Sequence, residues 1–392
     1  MKHYPYLIVG GGMSADAAAR AIREVDPTAA VGLISAEPHP PYARPPLSKG
    51  LWKGDSESSI WRGTETTGVD LRLARRVTAI DAVSKTVTDD RGDAVTYGKL
   101  LLATGGTPRS LPLDSQQIIY FRTYDDYRRL RALANERFRF AVLGGGFIGT
   151  EIAAALNGAG RDVVMLVPED GLGARAFPAD LSRFLVGYYR DQGVDVRTAE
   201  GHATLLPGAG KVALKTTAGH EFSADVIVAG LGILPNVDLA EQAGLRVENG
   251  IVVDELLRTS VPDIFAAGDV ANFLNPALGM RMRVEHEDNA NTMGAAAGRS
   301  MAGHGEPYTH LPFFYSDLFS LGYEAVGDLD PRFETFADWK EPFREGVIYY
   351  LKDGRVRGVL LWNVWGQLDA ARQLIGAPGL SSPPALKGRL AA

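Results

Sequence analysis

One pattern constrains this chain more than any other, and it occurs twice. Tyr6-Leu-Ile-Val-Gly-Gly-Gly-Met-Ser-Ala15 runs into a helix-like segment, Asp16–Val25, and then a second apolar run, Val31–Ile34. Phe140-Ala-Val-Leu-Gly-Gly-Gly-Phe-Ile-Gly149 runs likewise into Thr150–Gly160 and Val163–Val167. In both, a short strand-like run gives way at three glycines to a helical period and then to another strand. The unit is βαβ. Its first glycines, Gly10 and Gly144, lie 134 positions apart, which suits two separate α/β domains.

The glycines have distinct uses in such a turn. Gly10 permits the tight turn, Gly12 lets the backbone approach a pyrophosphate, and Ala15 lets the helix pack closely on the sheet. The helix start offers unpaired N–H groups and about half a positive charge to phosphates. Two copies in this context point to two dinucleotides. The acidic residue expected about 20 residues on is Glu37 in the first unit and Glu169, slightly late, in the second. Three further apolar runs end in glycine: Leu100-Leu-Leu-Ala-Thr-Gly-Gly106, Val226-Ile-Val-Ala-Gly-Leu-Gly232 and Ile264-Phe-Ala-Ala-Gly-Asp269. Ligands of doubly wound sheets sit at such carboxyl ends of strands.

Elsewhere Thr78–Tyr97 alternates as a β-meander does, with a turn at Arg91-Gly92-Asp93, and Glu285–Met301 reads as an alanine-rich helix. Beyond it come strands with turns at Asp328, Lys352-Asp-Gly354 and Trp362-Asn363, then a helix near Gln367–Ile375. Leu361-Trp-Asn-Val-Trp365 reads as the core of this last sheet. The Pro-, Gly- and Ser-rich tail, Gly376–Ala392, is expected to be peripheral or mobile. The fold expected is two doubly wound Rossmann-like dinucleotide-binding domains plus a smaller α+β C-terminal domain. Residues 1–115 and 234–307 would form the first, 116–233 the second and 308–392 the third.

Composition excludes several chemistries. The chain of 392 residues has no cysteine, which rules out disulfides, thiolate metal sites and dithiol redox chemistry. A net charge of −6 argues against non-specific nucleic-acid binding. No apolar run approaches the roughly 20 residues of a membrane span, and the early apolar run Tyr6–Val9 leaves no room for a signal peptide. The expectation is a soluble cytoplasmic protein without membrane or nucleic-acid partners. No Walker sequence and no nucleophile elbow appears, and His3, His39, His202, His220, His304 and His310 show no metal-ligand spacing.

Tyr42-Ala-Arg-Pro-Pro-Leu-Ser-Lys49, Gly144-Gly-Gly-Phe-Ile-Gly-Thr-Glu151, Gly232-Ile-Leu-Pro-Asn236 and Ala267-Gly-Asp269 occur in this order. Together they resemble the FAD-dependent NAD(P)H reductases of the ferredoxin and putidaredoxin reductase type, over nearly the whole chain. Arg283-Val-Glu-His-Glu-Asp288, Phe313-Phe-Tyr-Ser-Asp317 and Gly322-Tyr-Glu-Ala-Val-Gly327 lean towards the apoptosis-inducing-factor branch. Tyr349–Ile375 also resembles that branch's C-terminal domain, without the long insertion of the mitochondrial protein.

The resemblance implies which residues would line FAD: Gly10, Gly12, Met13, Ser14 and Ala15 of the first turn; Ala36, Glu37, Arg44, Lys49 and Val77; Ala103, Thr104 and Gly105; Arg122; Gly268, Asp269, Glu285 and His286; and Tyr315. The branch has an acid where Ala36 stands, so ribose binding rests on Glu37. It has a tryptophan beside the flavin where Tyr315 stands. Gly144, Gly146, Phe147, Ile148, Gly149, Glu151, Glu169 and Arg175 would serve the nicotinamide coenzyme, and Gly232 and Glu324 would also bind a cofactor.

The implied reaction is hydride transfer from NADH to flavin N5, then release of electrons to an acceptor. Lys49 and Glu151 would be the family's ion pair at the flavin N5 edge. Phe147 would either cover the flavin and move aside for nicotinamide or pack into the core. His286 would begin a helix whose positive end favours anionic reduced flavin. Glu169 favours NADH by repelling a 2′-phosphate, while Arg175 leaves NADPH use open. The implied partner is an iron–sulfur protein of the ferredoxin type. The alternative is a redox-responsive flavoprotein like the apoptosis-inducing factor, with slow NADH oxidation, a charge-transfer complex and a homodimer as output.

Overall fold

The computed structural model describes all residues except 112–116, 202–203, 207–211, 378, 380–381 and 391–392, and omits the side chains of 205–206. His202, the boundary expected between 115 and 116, and part of the tail lie outside the described residues. The chain divides into two compact units. One comprises Met1–Arg44, Ser56–Thr107 and Leu234–Phe313; the other comprises Pro45–Asp55, Pro108–Ile233 and Phe314–Ala392.

The first unit is built on a seven-stranded sheet. Lys2–Val9 pairs in parallel with Val31–Ile34 on one side and Ala94–Leu102 on the other, and Ala94–Leu102 pairs in parallel with Ile264–Ala266. Val9 stands level with Ile34 and Leu102, and Leu102 with Ala266. Four parallel strands therefore end at one edge. The meander Val77–Asp81, Thr86–Asp89 and Ala94–Leu102 extends the sheet in antiparallel fashion, as the alternation predicts.

On this sheet the helix Met13–Val25 packs against the helix Glu287–Met301. A Cβ at Gly294 would collide with the backbone of Ser14, and one at Gly298 with the backbone of Ala18. Contacts that advance together from Ser14 to Ala18 and from Gly294 to Gly298 mean that the helices run parallel. Glu287 lies seven residues before Gly294, so the second N-terminus projects roughly 10 Å beyond the first.

The second unit carries a five-stranded, wholly parallel sheet in the order Asp195–Arg197, Asp162–Leu166, Arg139–Leu143, Val226–Ala229, Ile118–Tyr120. Near-continuous apolar strands such as Phe140–Leu143 and Val163–Leu166 are buried, as a sheet covered on both faces requires. A small antiparallel sheet, Thr204–Leu206, Val212–Lys215 and Glu221–Ala224, was not foreseen. The C-terminal part is a five-stranded sheet ordered Phe313–Leu318, Leu321–Gly327, Arg355–Trp362, Glu345–Lys352, Glu334–Glu341, followed by the helix Leu368–Gly376.

Two expectations need correction here. Trp362 is fully buried, but Trp365 is 54% exposed, because the chain leaves the strand at Trp362 and Trp365 lies over Gly322. The tail is anchored where it is described: Leu386 and Leu390 are buried, and the Gly388 N–H donates to Asp338 at 2.6 Å.

Candidate active site

In the first unit the Gly10–Ala15, Ala36-Glu37, Ala103–Gly105 and Gly268-Asp269 segments follow the carboxyl ends of the four parallel strands, whereas Lys49, Arg122 and Tyr315 belong to the second unit. Gly10 has φ +129°, and a side chain there would strike the Ala103 carbonyl; at Gly11 one would strike Ser35. At Gly12 nothing stands within 4 Å of the place a Cβ would occupy. The turn is thus pressed onto the sheet at two glycines and open at the third. Gly12 is the N-cap of the helix Met13–Val25 and gives it no side-chain cap. Gly268, at φ +76°, abuts Ser14, so the Gly268-Asp269 turn meets the start of this helix. Thr104 and Asn236 exchange hydrogen bonds of 2.8 and 2.9 Å, and Asn236 N–H donates to Gly105, which fixes the Ala103–Gly105 turn.

Glu37 follows Val31–Ile34 and accepts from the Tyr42 hydroxyl at 2.6 Å and from Arg44 at 2.5 Å. Desolvation disfavours the Arg44 charge, but Tyr42, Glu37 and Asp269 outweigh it and raise its pKa. Ala36 precedes Glu37 in the same loop, and Val77 is buried in the sheet. Tyr42 was not foreseen as a partner of Glu37. Asp16 was also missed. It is fully buried in the first turn of the helix, where its charge would repel a phosphate. Arg62 at 2.6 Å, Arg20 at 3.0 Å and the Thr64 hydroxyl at 2.6 Å satisfy and neutralise it. The helix end therefore keeps its attraction for an anion.

His286 is the N-cap of Glu287–Met301, which also lacks a side-chain cap. Burial pushes its pKa down to about 4 against the pull of Asp269 and Asp288, so the ring is neutral at pH 7. Arg283 pairs with Glu285 at 2.6 Å and donates to the Asp269 carbonyl at 3.1 Å. The two uncapped helix ends, staggered along one direction, and a free approach at Gly12 fit an extended dinucleotide with its pyrophosphate at the first end.

In the second unit the same construction recurs. Gly144 has φ +102° and would meet the Gly230 carbonyl at 2.6 Å; Gly145 packs on Val167; Gly146 faces open space and is the uncapped N-cap of Phe147–Gly158. Gly149 lies too close to the Gly144 carbonyl for any side chain. Gly232, at φ +80°, accepts from Arg109 N–H at 2.9 Å. By contrast, the helix Tyr124–Glu136 carries a complete capping box, with Thr123 and Asp126 bonded reciprocally. Arg122 precedes it, its N–H donating to Asp126 at 3.1 Å. Glu169 pairs with Arg175 at 3.1 Å; Arg175 is 85% exposed.

Lys49 and Glu151 do come together, at 2.7 Å, although 102 residues separate them. Glu151, on the second turn of the glycine-capped helix, is 4% exposed and Lys49 is 14% exposed. The Lys49 ammonium also lies 5.2 Å from the centre of the Tyr315 ring. Two further partners went unforeseen: Ser48 and Ser316 each donate to Glu151 at 2.6 Å. Ser48 stands beside Lys49 in the sequence, but nothing local signals a contact so remote. Phe147 is half-buried against Phe314, ring centres 5.0 Å apart, and Tyr323 at 6.4 Å; Ile148 beside it is 40% exposed. Burial raises the pKa of Glu324, and one of its carboxylate oxygens is buried without a partner.

A family profile described as pyridine nucleotide-disulphide oxidoreductase matches residues 4–294. The chain belongs to that family. A second profile, the C-terminal part of mitochondrion-associated apoptosis-inducing factor, matches residues 337–377 of this oxidoreductase. It is 36% identical to the ferredoxin–NAD(+) reductase component of an anthranilate 1,2-dioxygenase system from Burkholderia cepacia, over 98% of this chain and 97% of that one. It is 33% identical to apoptosis-inducing factor 1 of Dictyostelium discoideum, over 96% and 79%. Among solved structures, putidaredoxin reductase in its covalent complex with putidaredoxin superposes with a TM-score of 0.89 at 30% identity, covering 96% of this chain and 93% of that one. A ferredoxin reductase from Rhodopseudomonas palustris gives 0.90 at 28%, covering 98% and 96%. The family uses flavin and pyridine nucleotide; its dithiol chemistry is closed to a chain without cysteine. No helix among the described residues is long and apolar enough to cross a membrane.

Proposed function

We propose that this oxidoreductase binds FAD on the first unit and NADH on the second, and passes electrons from NADH to an iron–sulfur protein of the ferredoxin type. The observation that carries the reading is one glycine turn built twice: Gly10 and Gly144, both at positive φ, press on the carbonyls of Ala103 and Gly230, while Gly12 and Gly146 face open space at the start of a helix. Neither helix has a side-chain cap, so the first N–H groups behind these open glycines can meet an outside acceptor. Bound FAD would supply the redox chemistry, taking a hydride from the coenzyme and giving up electrons to the acceptor. The chain supplies position and charge. Glu37 would hold the ribose of FAD, with Tyr42 and Arg44 fixing its carboxylate. Lys49 and Glu151 would orient the reacting rings, and Phe147 would yield its place to nicotinamide. Glu169 would hold the adenosine ribose of the coenzyme. The ferredoxin-type acceptor rests on the end-to-end likeness to the Burkholderia reductase component.

The match of residues 337–377 to the apoptosis-inducing-factor C-terminal part favours a second reading, in which the reduced protein persists as a redox signal and dimerises. The first test common to both is the cofactor. Purified protein is expected to be yellow and to release FAD on denaturation, since the chain has no cysteine for a thioether link. Colourless protein that FAD cannot reconstitute would overturn both readings.

A further inference from the structure

The helix Met13–Val25 holds one segment of the chain at three points along a single face. Asp16, fully buried, accepts from Arg62 Nε at 2.6 Å and from the Thr64 hydroxyl at 2.6 Å. One turn on, Arg20 pairs with Asp16 at 3.0 Å and donates to the Arg62 carbonyl. One turn further, Arg23 donates to the carbonyls of Thr67 and Gly68, each at 3.2 Å. Asp16, Arg20 and Arg23 stand at i, i+4 and i+7, which is one stripe of a helix. Residues 62–68 thus run along the helix whose open end lies at Gly12.

The start of the same segment leads to Glu37. Trp61 and Tyr42 form an isolated antiparallel bridge, in which Arg62 N–H donates to Pro41 at 3.1 Å and Ala43 N–H donates to Ile60 at 2.8 Å. The Trp61 ring stands edge-on to Tyr42, ring centres 5.9 Å apart. The Tyr42 hydroxyl donates to Glu37 at 2.6 Å and accepts from Arg44 at 2.9 Å. Arg62 is therefore bonded by its side chain to the glycine-capped helix and by its backbone to the strip that fixes Glu37. We infer that Arg62 is a positioning residue for the dinucleotide of the first unit. It offsets the Asp16 charge behind the phosphate-binding helix end, and it keeps that end in register with Glu37, the proposed ribose ligand.

The other groups around Asp16 do not replace Arg62. The Thr64 hydroxyl brings a hydrogen bond but no charge. Arg20 is a second cation, but its side chain is 40% exposed against 21% for Arg62, so water screens more of its charge. The bonds printed for Arg23 go to backbone carbonyls. With both arginines in place the cluster carries one net positive charge, which suits an arriving phosphate. Without Arg62 that surplus is gone, and the buried carboxylate opposes the anion that the helix end attracts. The strip bearing Trp61 also loses its side-chain tie to the helix. The inference rests on the reading that FAD binds the first unit, and affinity rather than turnover tests it.

FAD is stripped from the full chain, and its rebinding is followed by flavin fluorescence in the wild type, Arg62→Ala, Arg62→Gln, Asp16→Asn and Arg62→Ala combined with Asp16→Asn. Arg62→Gln keeps most of the side chain's length and its hydrogen-bond donors, so it serves if Arg62→Ala fails to fold. Each Arg62 substitution is expected to raise the Kd for FAD about tenfold, whereas Asp16→Asn alone changes it by less than about threefold. Adding Asp16→Asn to Arg62→Ala should recover most of the loss, which a residue needed only for folding would not allow. Tyr42→Phe should weaken binding too, and combined with Arg62→Ala the two losses should be less than additive, because both act on Glu37 through one strip. Wild-type affinity in the Arg62 variants, a loss that Asp16→Asn does not recover, or fully additive losses with Tyr42→Phe would overturn the inference while leaving the FAD reading intact. A wild type that neither carries FAD nor takes it up would overturn that reading and the inference with it.

Discussion

Glu169 and Arg175 illustrate how two neighbouring charges compete for one specificity. Glu169 follows the strand Asp162–Leu166 and is 31% exposed, while Arg175 reaches it at 3.1 Å from solvent. An exposed ion pair of this sort is worth about 0–1 kcal/mol, so freeing Glu169 from Arg175 for the proposed ribose contact would cost little. A carboxylate that accepts two ribose hydroxyls repels a 2′-phosphate, and NADH should be preferred. Comparing kcat/KM for NADH and NADPH in the wild type and in Glu169→Ala checks this. The preference should fall by roughly tenfold or more, since about 1.4 kcal/mol is a factor of ten. Better use of NADPH by the wild type would show that Arg175 sets the choice.

At the scale of elements, the glycine turns were legible in the sequence and their neighbours were not. Gly10, Gly12, Gly144, Gly146 and Gly149 announce themselves by local spacing, because a turn between strand and helix is a local event. Gly294 and Gly298 carry no such signal: their purpose is the backbone of Ser14 and Ala18, almost 300 residues away in sequence. Two substitutions with opposite signs test that purpose. Gly298→Ala would drive a methyl into the Ala18 carbonyl, and the roughly 1 kcal/mol gained in helix propensity is smaller than the overpacking cost. A net loss of about 1–2 kcal/mol is expected. Gly187→Ala, on the exposed face of Ala179–Asp191 with nothing within 4 Å, should instead stabilise by about 0.5–1 kcal/mol. Urea midpoints of the two variants decide the matter; equal shifts would mean that the helix contact is not tight. Similarly, Asp16 reads as an ordinary first-turn acid until Arg62 and Thr64 are seen around it. Trp365 reads as a core residue because its neighbour Trp362 is one.

For the whole molecule, the repeated βαβ unit accounts for the parallel strands at the heart of both large sheets, and the absence of cysteine fixes which branch of the oxidoreductase chemistry stays open. The small sheet Thr204–Ala224 escaped the reading because its three-stranded antiparallel pairing lies in short segments of mixed polarity. The acceptor is a property of the whole chain, and it is best tested on the whole chain. Flavin absorbance is followed anaerobically as NADH is added, and then as a two-iron ferredoxin or air is admitted. The account predicts rapid bleaching by NADH, then reoxidation that is much faster with ferredoxin than with air. No bleaching, or a long-wavelength band that persists equally with and without ferredoxin, would contradict it.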